Sequence, residues 1–257
     1  MDDQNKRKNG YLAVSIIFIV GAVFFALFAM GYYLKLDRTA KNITALRDEE
    51  REDEEPKKEI WNGIEIPSLD LDWAGLKFKN QDIFAYLYIP GTRVDAPVLQ
   101  RSGEDSYYAS HDEYGEENSE GSLYLTASGT KDFSGQNTVV YGRESSDGSL
   151  LGTLSYYQDA DFFDRSPCFF VYTPAKTWIF QVFAAYRYGE LPLRDTFSDA
   201  SDFNDYLDQI LSQKDLNSHF LRDTKVKLNG DAHIVSLVSL DEGGEPSYIV
   251  QGILLDR

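Results

Sequence analysis

Cysteine is almost absent from this chain, since Cys168 is its one thiol. A single cysteine excludes an intramolecular disulfide and a thiolate metal cluster. The three histidines, His111, His219 and His233, have no metal-ligand spacing. Walker, GxGxxG, HExxH and GxSxG motifs are also missing, so the common nucleotide-binding, metalloprotease and serine-hydrolase chemistries have no support. We expect no metal and no other cofactor.

Basic residues are scarce, with 25 Lys and Arg against 42 Asp and Glu, which gives a net charge of −17. A nucleic-acid partner requires a basic face that neutralises phosphates, so this balance argues against one. The 257 residues include 17 Tyr and 16 Phe. This length and aromatic content are enough for one sizeable packed domain with an appendage.

Charge is missing altogether from residues 11–34. A helix of this length rises about 1.5 Å per residue and crosses a hydrocarbon core of about 30 Å. Lys6, Arg7 and Lys8 precede the span and favour a cytoplasmic N-terminus, although basic residues also follow it. A cleaved signal peptide is the alternative, but the apolar run exceeds the usual length and no small-residue cleavage site closes it.

After the span the composition becomes dense in charges of both signs up to about residue 60. Such a segment cannot bury a core, so we predict a solvated stalk. The alternative with a specific function is an acidic tail that binds a partner. The predicted organisation is a cytoplasmic N-terminus (1–10), a transmembrane helix (11–34), a charged stalk (35–60) and one domain (61–257).

Short strands rich in Val, Tyr and Phe dominate this domain. In residues 177–188, alternation predicts that Trp178, Phe180, Val182, Ala184 and Tyr186 share one face. Two helices interrupt the strands: one is capped by Asp72 and runs to residue 79, and the other covers about 201–212. The second places Phe203, Tyr206, Leu207, Ile210 and Leu211 on one face. Many short strands and few helices indicate a closed or nearly closed β-barrel. The predicted strands are 84–89, 97–100, 122–126, 137–142, 169–173, 177–188, 233–240 and 248–255.

Five segments of the domain, in this order and with these spacings, resemble a class B sortase. They are AYLYIPGTRVDAPVLQ, SYYASHDEYGEENSEGSLYL, NTVVYGRESSDGSLLGTLSYYQDADFF, PCFFVYTP and HIVSLVSLDEGGEPSYIVQGILL. The resemblance covers residue 69 to the end and implies a mainly β fold with a few helices. That fold is a sortase-like eight-stranded β-barrel with an extra helix before the penultimate strand. Together with the anchor and stalk, it implies a membrane-tethered protein facing the cell wall of a Gram-positive bacterium.

The resemblance also implies cysteine transpeptidation, yet three matching positions carry other residues. The family's histidine follows Tyr-Gly, where this chain has Arg143. Arginine stays protonated and cannot act as a general acid or base. Leu240 stands where the family's cysteine closes its strand, and leucine has no nucleophilic atom. Ser247 stands where the family's arginine begins the last strand. The serine hydroxyl is a weaker hydrogen-bond donor than a guanidinium and reaches less far.

Loss of a nucleophile alone costs on the order of 10⁶-fold in turnover in a well-studied protease. We therefore expect a degenerate (pseudo-sortase) member with no intact catalytic residue. A serine nucleophile, Ser239 with His111 as base, is the active alternative, although neighbours on a strand point to opposite faces. We expect Cys168 to be a small, buried apolar residue and His233 to be a solvated residue at the edge of a strand.

The expected role is binding, through groove positions Arg143, Ser239, Leu240 and Ser247. The bound species is a sorting-signal-like peptide or a partner protein at the cell surface. Arg143 would contact an anion or carboxylate in the groove, or else form an ordinary ion pair with Glu144 or Asp147. A structural surface protein, whose groove is filled by side chains such as Leu240, is a further alternative.

Overall fold

The computed structural model describes residues 58–145, 147–189, 193–212 and 219–255, together with Met30. The chain divides into two compact units, residues 58–66 with 72–257 and residues 1–57 with 67–71. Apart from Met30, the predicted membrane span lies outside the described residues, as does the stalk up to residue 57. Within the described ranges, no helix is both long and apolar enough to cross a membrane.

The described chain is mainly β, with three short α-helices and two 3₁₀ helices. The strands are β1 (Lys58–Trp61), β2 (Ile64–Pro67), β3 (Ile83–Tyr88), β4 (Asp95–Leu99), β5 (Leu123–Tyr124), β6 (Asn137–Arg143), β7 (Cys168–Tyr172), β8 (Thr177–Arg187), β9 (His219–Leu221), β10 (Ile234–Leu240) and β11 (Pro246–Leu255). The α-helices are α1 (Trp73–Lys79), α2 (Ala160–Arg165) and α3 (Ala200–Ser212), and the 3₁₀ helices are Tyr107–Ala109 and Gly152–Gln158.

Eight strands close into a barrel. The sheet order is β11-β10-β6-β5-β4-β3-β7-β8, and a further pairing of β8 with β11 completes the ring, with β9 attached to β8. Strands β6 and β10 are parallel, and β10 and β11 are antiparallel. The predicted eight-stranded barrel with few helices is confirmed.

Two apolar clusters hold the fold together. One fills the barrel interior with side chains such as Leu87, Val140 and Leu237, and the other lies between the outer face of the sheet and α3. Four α3 side chains at helical spacing, Phe203, Tyr206, Leu207 and Ile210, are buried in the outer cluster. Burying a large apolar side chain contributes roughly 1.5–3 kcal/mol, so α3 is fixed by its apolar face. Leu211, predicted to share that face, is exposed.

The alternation predicted for β8 is wrong beyond its midpoint. Phe180 and Val182 face the interior as expected, but Ala184 and Tyr186 belong to the outer cluster. The cause is an irregularity in the β8–β11 register, which passes from Gly252↔Val182 to Gln251↔Ala184 and leaves Phe183 as an extra residue. A bulge of this kind reverses the facing of every later side chain.

A β-hairpin that the sequence reasoning missed begins inside the predicted stalk. Strands β1 and β2 pair as a separate two-stranded sheet. Their turn, Asn62-Gly63, has φ values of 47° and 79°, as a two-residue hairpin turn of the Asn-Gly type requires. Lys225 Nζ donates to the Asn62 carbonyl at 3.2 Å and ties the turn to a loop of the barrel domain.

The predicted cap of α1 is confirmed, because the Asp72 Oδ1 atom accepts from the Gly75 amide at 2.9 Å. Helix α3 likewise begins behind Asp199, whose Oδ1 accepts from the amides of Ser201 (2.8 Å) and Asp202 (3.0 Å). Both carboxylates satisfy amides that a helix leaves unpaired in its first turn.

Candidate functional site at the ends of strands β6, β10 and β11

The three positions that resemble the sortase catalytic residues meet at one end of the barrel. Leu240 is the register partner of Arg143 on β6 and of Pro246 on β11. Since Ser239 pairs with Tyr248, the irregularity between Ser239 and Leu240 leaves Ser247 as an extra residue beside them. We call this end, defined by Arg143, Leu240 and Ser247, the site end.

Leu240 presents only hydrocarbon to its surroundings. It is 5% exposed and belongs to the outer cluster, together with Val238 and Ile249. An isobutyl group has no atom that attacks a carbonyl or exchanges a proton, so covalent chemistry is excluded at this position.

The guanidinium of Arg143 is held by backbone carbonyls. Its Nη1 donates to the carbonyl oxygens of Asp241 (3.0 Å) and Glu242 (3.1 Å), and its Nε donates to that of Ala109 at 3.4 Å. The side chain thereby joins the end of β6 to the β10–β11 turn and to the first 3₁₀ helix. Arg143 is half-buried, and its charge is used to bind the protein's own chain.

A hydroxyl–carboxylate cluster lies beside Leu240. Ser239 Oγ lies 2.8 Å from Ser247 Oγ, and both hydroxyls donate to Glu144 Oε1, the Ser239 bond measuring 3.1 Å. The Ser239 hydroxyl also contacts the Tyr248 carbonyl and accepts from the Tyr248 amide, each at 3.2 Å. The side chain of Ser239 is wholly buried, so its oxygen is saturated with protein partners and closed to solvent.

His111 lies in a different set of contacts. Its Nδ1 is 2.8 Å from the Tyr107 carbonyl, and its ring stacks on the Tyr107 ring at 3.8 Å between centroids. The Arg101 guanidinium lies over the same tyrosine, 3.8 Å from the centroid of the Tyr107 ring. Among the hydrogen bonds of the described residues, none joins His111 to Ser239.

The remaining candidates from the sequence lie away from Leu240. Cys168 begins β7 as a buried residue, and burial raises the pKa of its thiol to about 11. His233 precedes β10, with Nδ1 3.1 Å from the Gly135 carbonyl. The side chain of His219 lies outside the described residues. Over the part of the chain that the structure describes, no group of His, Cys, Asp and Glu could hold a metal ion.

A tyrosine pair that the sequence reasoning missed lies on the outer face next to Arg143. The rings of Tyr124 and Tyr141 stack at 5.6 Å and 25°. Burial raises the pKa of Tyr141 to about 12, with a smaller contribution from Asp195. Burial also raises the pKa of Tyr124, while Arg143 opposes that shift. The period of two in β6 places residues 141 and 143 on one face, and this spacing is the signal that could have identified Tyr141.

An ion pair fixes the segment that precedes α3. Arg194 and Asp202 form two parallel bonds of 2.9 and 2.8 Å, and Asp202 also accepts from the Ser198 amide at 2.9 Å. The Arg194 bonds and the Ser198 amide hold the pKa of Asp202 well below its usual range. Asn137 Nδ2 donates to the Arg194 carbonyl at 2.6 Å and links the segment to β6. The sequence did not predict this ion pair, because no local residue pattern shows which two charged side chains will meet.

The closed eight-stranded barrel with a helix before its penultimate strand defines the sortase class of folds. No protein-family model matches the chain. Sortase B of Listeria monocytogenes is 29% identical over 185 residues, which cover 69% of this chain and 72% of that protein. Its solved structure has a TM-score of 0.60 at 28% identity and covers 70% of this chain and 99% of its own.

Sortase B from Bacillus anthracis, solved in complex with AAEK1, has a TM-score of 0.69 at 20% identity. It covers 88% of this chain and 100% of its own. The chain is therefore a sortase B-like protein by sequence and by structure.

Proposed function

We propose that this chain is a membrane-anchored extracellular protein that has lost transpeptidase activity. It acts by binding a sorting-signal-like peptide or a partner protein at the cell wall. The charge-free run at residues 11–34, preceded by Lys6, Arg7 and Lys8, supports an anchor with a cytoplasmic N-terminus.

The observation that carries the proposal is the register at the site end. Leu240 lies opposite Arg143, with Ser247 next to it, so the three positions that match the catalytic set occupy one place in the fold. Leu240 has no nucleophilic atom, and the Arg143 guanidinium has no atom that accepts a proton. The Ser247 hydroxyl donates to Glu144 Oε1, an oxygen that it shares with the Ser239 hydroxyl.

The active alternative, Ser239 with His111, has little geometric support. Attack on a peptide carbonyl requires an accessible oxygen within hydrogen-bond reach of its base. Ser239 is wholly buried, and its hydroxyl is engaged by Glu144, Ser247 and Tyr248.

A scaffold role without a groove ligand is the second candidate. The burial of Leu240 and the three carbonyl bonds of Arg143 favour it, since the protein's own groups fill the matching positions. Both candidates share the absence of transpeptidation and differ in ligand binding.

The test combines turnover and binding. A fluorogenic peptide carrying the sorting signal of an active class B sortase is incubated with the full chain, with that sortase as positive control. We expect no cleavage and no acyl-enzyme by intact mass. We also expect saturable binding of the peptide, and Arg143→Ala weakens it. Binding that is absent for the wild-type chain assigns the scaffold role.

Two variants complete the test. In the triple variant Arg143→His, Leu240→Cys, Ser247→Arg, we expect a peptide thioester on residue 240, because the nucleophile, base and oxyanion donor are restored together. Ser239→Ala is the matched control. A wild-type acyl-enzyme that disappears in Ser239→Ala would overturn the proposal.

A further inference from the structure

The end of the barrel opposite the site end has a different surface. Strands β3, β6 and β10 run in the same direction, so α1, which precedes β3, lies at the end opposite Arg143. The β5–β6 loop and the β7–β8 turn lie at this end too. They carry Lys131 and Lys176. We call it the lysine end and define it by Lys77, Phe78, Lys131 and Lys176.

Phe78 is the most exposed large apolar side chain of the described residues, at 91%. It lies on α1 between Lys77 and Lys79, on a turn whose buried residue is Leu76. Burying an aromatic ring is worth about 2–3 kcal/mol, so full exposure of Phe78 leaves that stabilisation unused within the chain.

Lysine side chains at this end cover a continuous set of aromatic rings. Lys131 Nζ lies 5.5 Å from the Phe84 ring, and Lys176 Nζ lies 3.6 Å from the Trp178 ring. Phe133 bridges the two rings, at 6.2 Å from Phe84 and 5.9 Å from Trp178. Partial burial and, to a smaller extent, the nearby Lys131 charge lower the pKa of Lys77, whereas Asp82 opposes the shift. The ammonium groups of Lys77 and Lys131 are therefore close enough to repel one another.

Two carboxylates at the lysine end are engaged locally. Asp82 accepts from the Tyr108 hydroxyl at 2.7 Å, and Asp132 accepts from the Ser134 hydroxyl and amide at 2.7 and 3.1 Å. The site end, in contrast, carries exposed carboxylates on Glu144, Asp147 and the β10–β11 turn, where they are Asp241, Glu242 and Glu245. A strongly anionic chain therefore presents ammonium groups and a bare aromatic ring together at one end.

We propose that the lysine end lies on the membrane surface, with Phe78 inserted among the headgroups and Lys77, Lys131 and Lys176 paired with anionic phosphates. An apolar ring flanked by basic side chains is the combination that binds the interface of an anionic bilayer. The acidic site end would be repelled by the same surface and would face away from it.

The length of the chain before β1 permits this contact. Residues 35–57 separate the predicted span from β1. They reach about 35 Å if helical and at most about 80 Å if extended. In either case the tether lets the domain contact the bilayer surface. This inference rests on the membrane anchor of the proposed function.

The test places a nitroxide on the full chain in lipid nanodiscs. Labels are attached at Phe78→Cys, at Tyr156→Cys and at Val23→Cys within the predicted span. Tyr156 is an exposed aromatic residue at the site end and serves as the matched control. The native thiol of Cys168 is buried, and the unsubstituted chain gives the background. The measurement is collision with a water-soluble relaxing agent in phosphatidylglycerol discs and in phosphatidylcholine discs.

We expect the label at residue 78 to lose accessibility in the anionic discs, because each lysine near an anionic surface strengthens binding by about 1 kcal/mol, or about fivefold per side chain. The label at residue 156 stays in water in both. Lys131→Glu with Lys176→Glu abolishes the difference, whereas Arg165→Glu with Lys227→Glu, which alters net charge equally at exposed positions, preserves it.

Each other result overturns a defined statement. A label at residue 78 that stays in water while the residue 23 label is lipid-embedded overturns this inference and leaves the anchor intact. A residue 23 label in water overturns the anchor and this inference together. The label at residue 78 could also stay shielded in the variant Lys131→Glu with Lys176→Glu. That result assigns the surface to a protein contact and overturns the lipid proposal.

Discussion

The two ends of the barrel differ in whether their apolar and charged groups are buried within the domain or exposed to solvent. At the site end Leu240 is buried, and the nearby hydroxyls and the Arg143 guanidinium are bonded to protein groups. At the lysine end an aromatic ring and several ammonium groups face solvent. The side chains of the site end therefore contribute to the packing of the domain, whereas those of the lysine end face solvent.

The largest difference is expected for truncation of one apolar side chain at each end. Leu240→Ala removes buried methyl groups from the outer cluster and should lower the free energy of unfolding by about 2–5 kcal/mol. Phe78→Ala removes an exposed ring and should change it by less than about 0.5 kcal/mol. Urea unfolding of both variants, followed by far-UV circular dichroism in the same detergent, measures the two values. Equal losses would contradict the comparison.

The pattern of many short apolar strands predicted a closed or nearly closed barrel, and the resemblance to class B sortases supplied the number of eight strands. Helix α3 was predicted because its buried side chains recur at helical spacing. The α1 cap was predicted for a similar local reason, since Asp72 lies three residues before the amide that it accepts from. The β1–β2 hairpin carried an equally local signal, Asn62-Gly63, which the surrounding charges concealed.

Long-range features of the site were not predictable from local pattern. The Phe183 bulge in β8 depends on the register of β8 with β11. The glycine at position 252 also depends on the fold, because a Cβ there would meet Phe169 and Phe180. The acceptor role of Glu144 likewise depends on Ser239 and Ser247, which are distant in sequence. Motif resemblance located Arg143, Leu240 and Ser247, but only the fold gives their contacts.

Thiol reactivity should differ by about two orders of magnitude between a cysteine introduced at the lysine end and the native Cys168. At pH 8 an exposed thiol at Phe78→Cys, with the usual pKa near 8.5, is about one quarter thiolate. Cys168 at the start of β7 has a pKa of about 11, so its thiolate fraction is about 200-fold lower at this pH, and burial slows it further.

Maleimide labelling followed by intact mass measures both rates. Because the pKa is raised, reactivity of Cys168 should keep increasing with pH well beyond pH 9, where the exposed thiol approaches its plateau. In urea above the unfolding midpoint the two rates should converge. Rapid labelling of native Cys168 at pH 7 would contradict its assignment as a buried, inert side chain.

The smallest expected difference concerns one carboxylate at each end. Glu144→Gln keeps the shape but weakens the acceptor shared by the Ser239 and Ser247 hydroxyls. Hydrogen bonds to a charged group are worth about 1.5–3 kcal/mol, and the exposure of Glu144 reduces the expected loss to about 1 kcal/mol.

Asp132→Asn is the matched control at the lysine end, where the carboxylate accepts from the Ser134 hydroxyl and amide within its own turn. Its bonds to Ser134 lower the pKa of Asp132. Its contribution is therefore present above the unfolded pKa, about 3.9, and is lost as the pH falls through the lower folded pKa. Urea unfolding at pH 7 should rank Glu144→Gln as the more destabilised variant, because its acceptor joins β6 to both β10 and β11. A larger loss for Asp132→Asn would show that the site end is not held together by the Glu144 cluster.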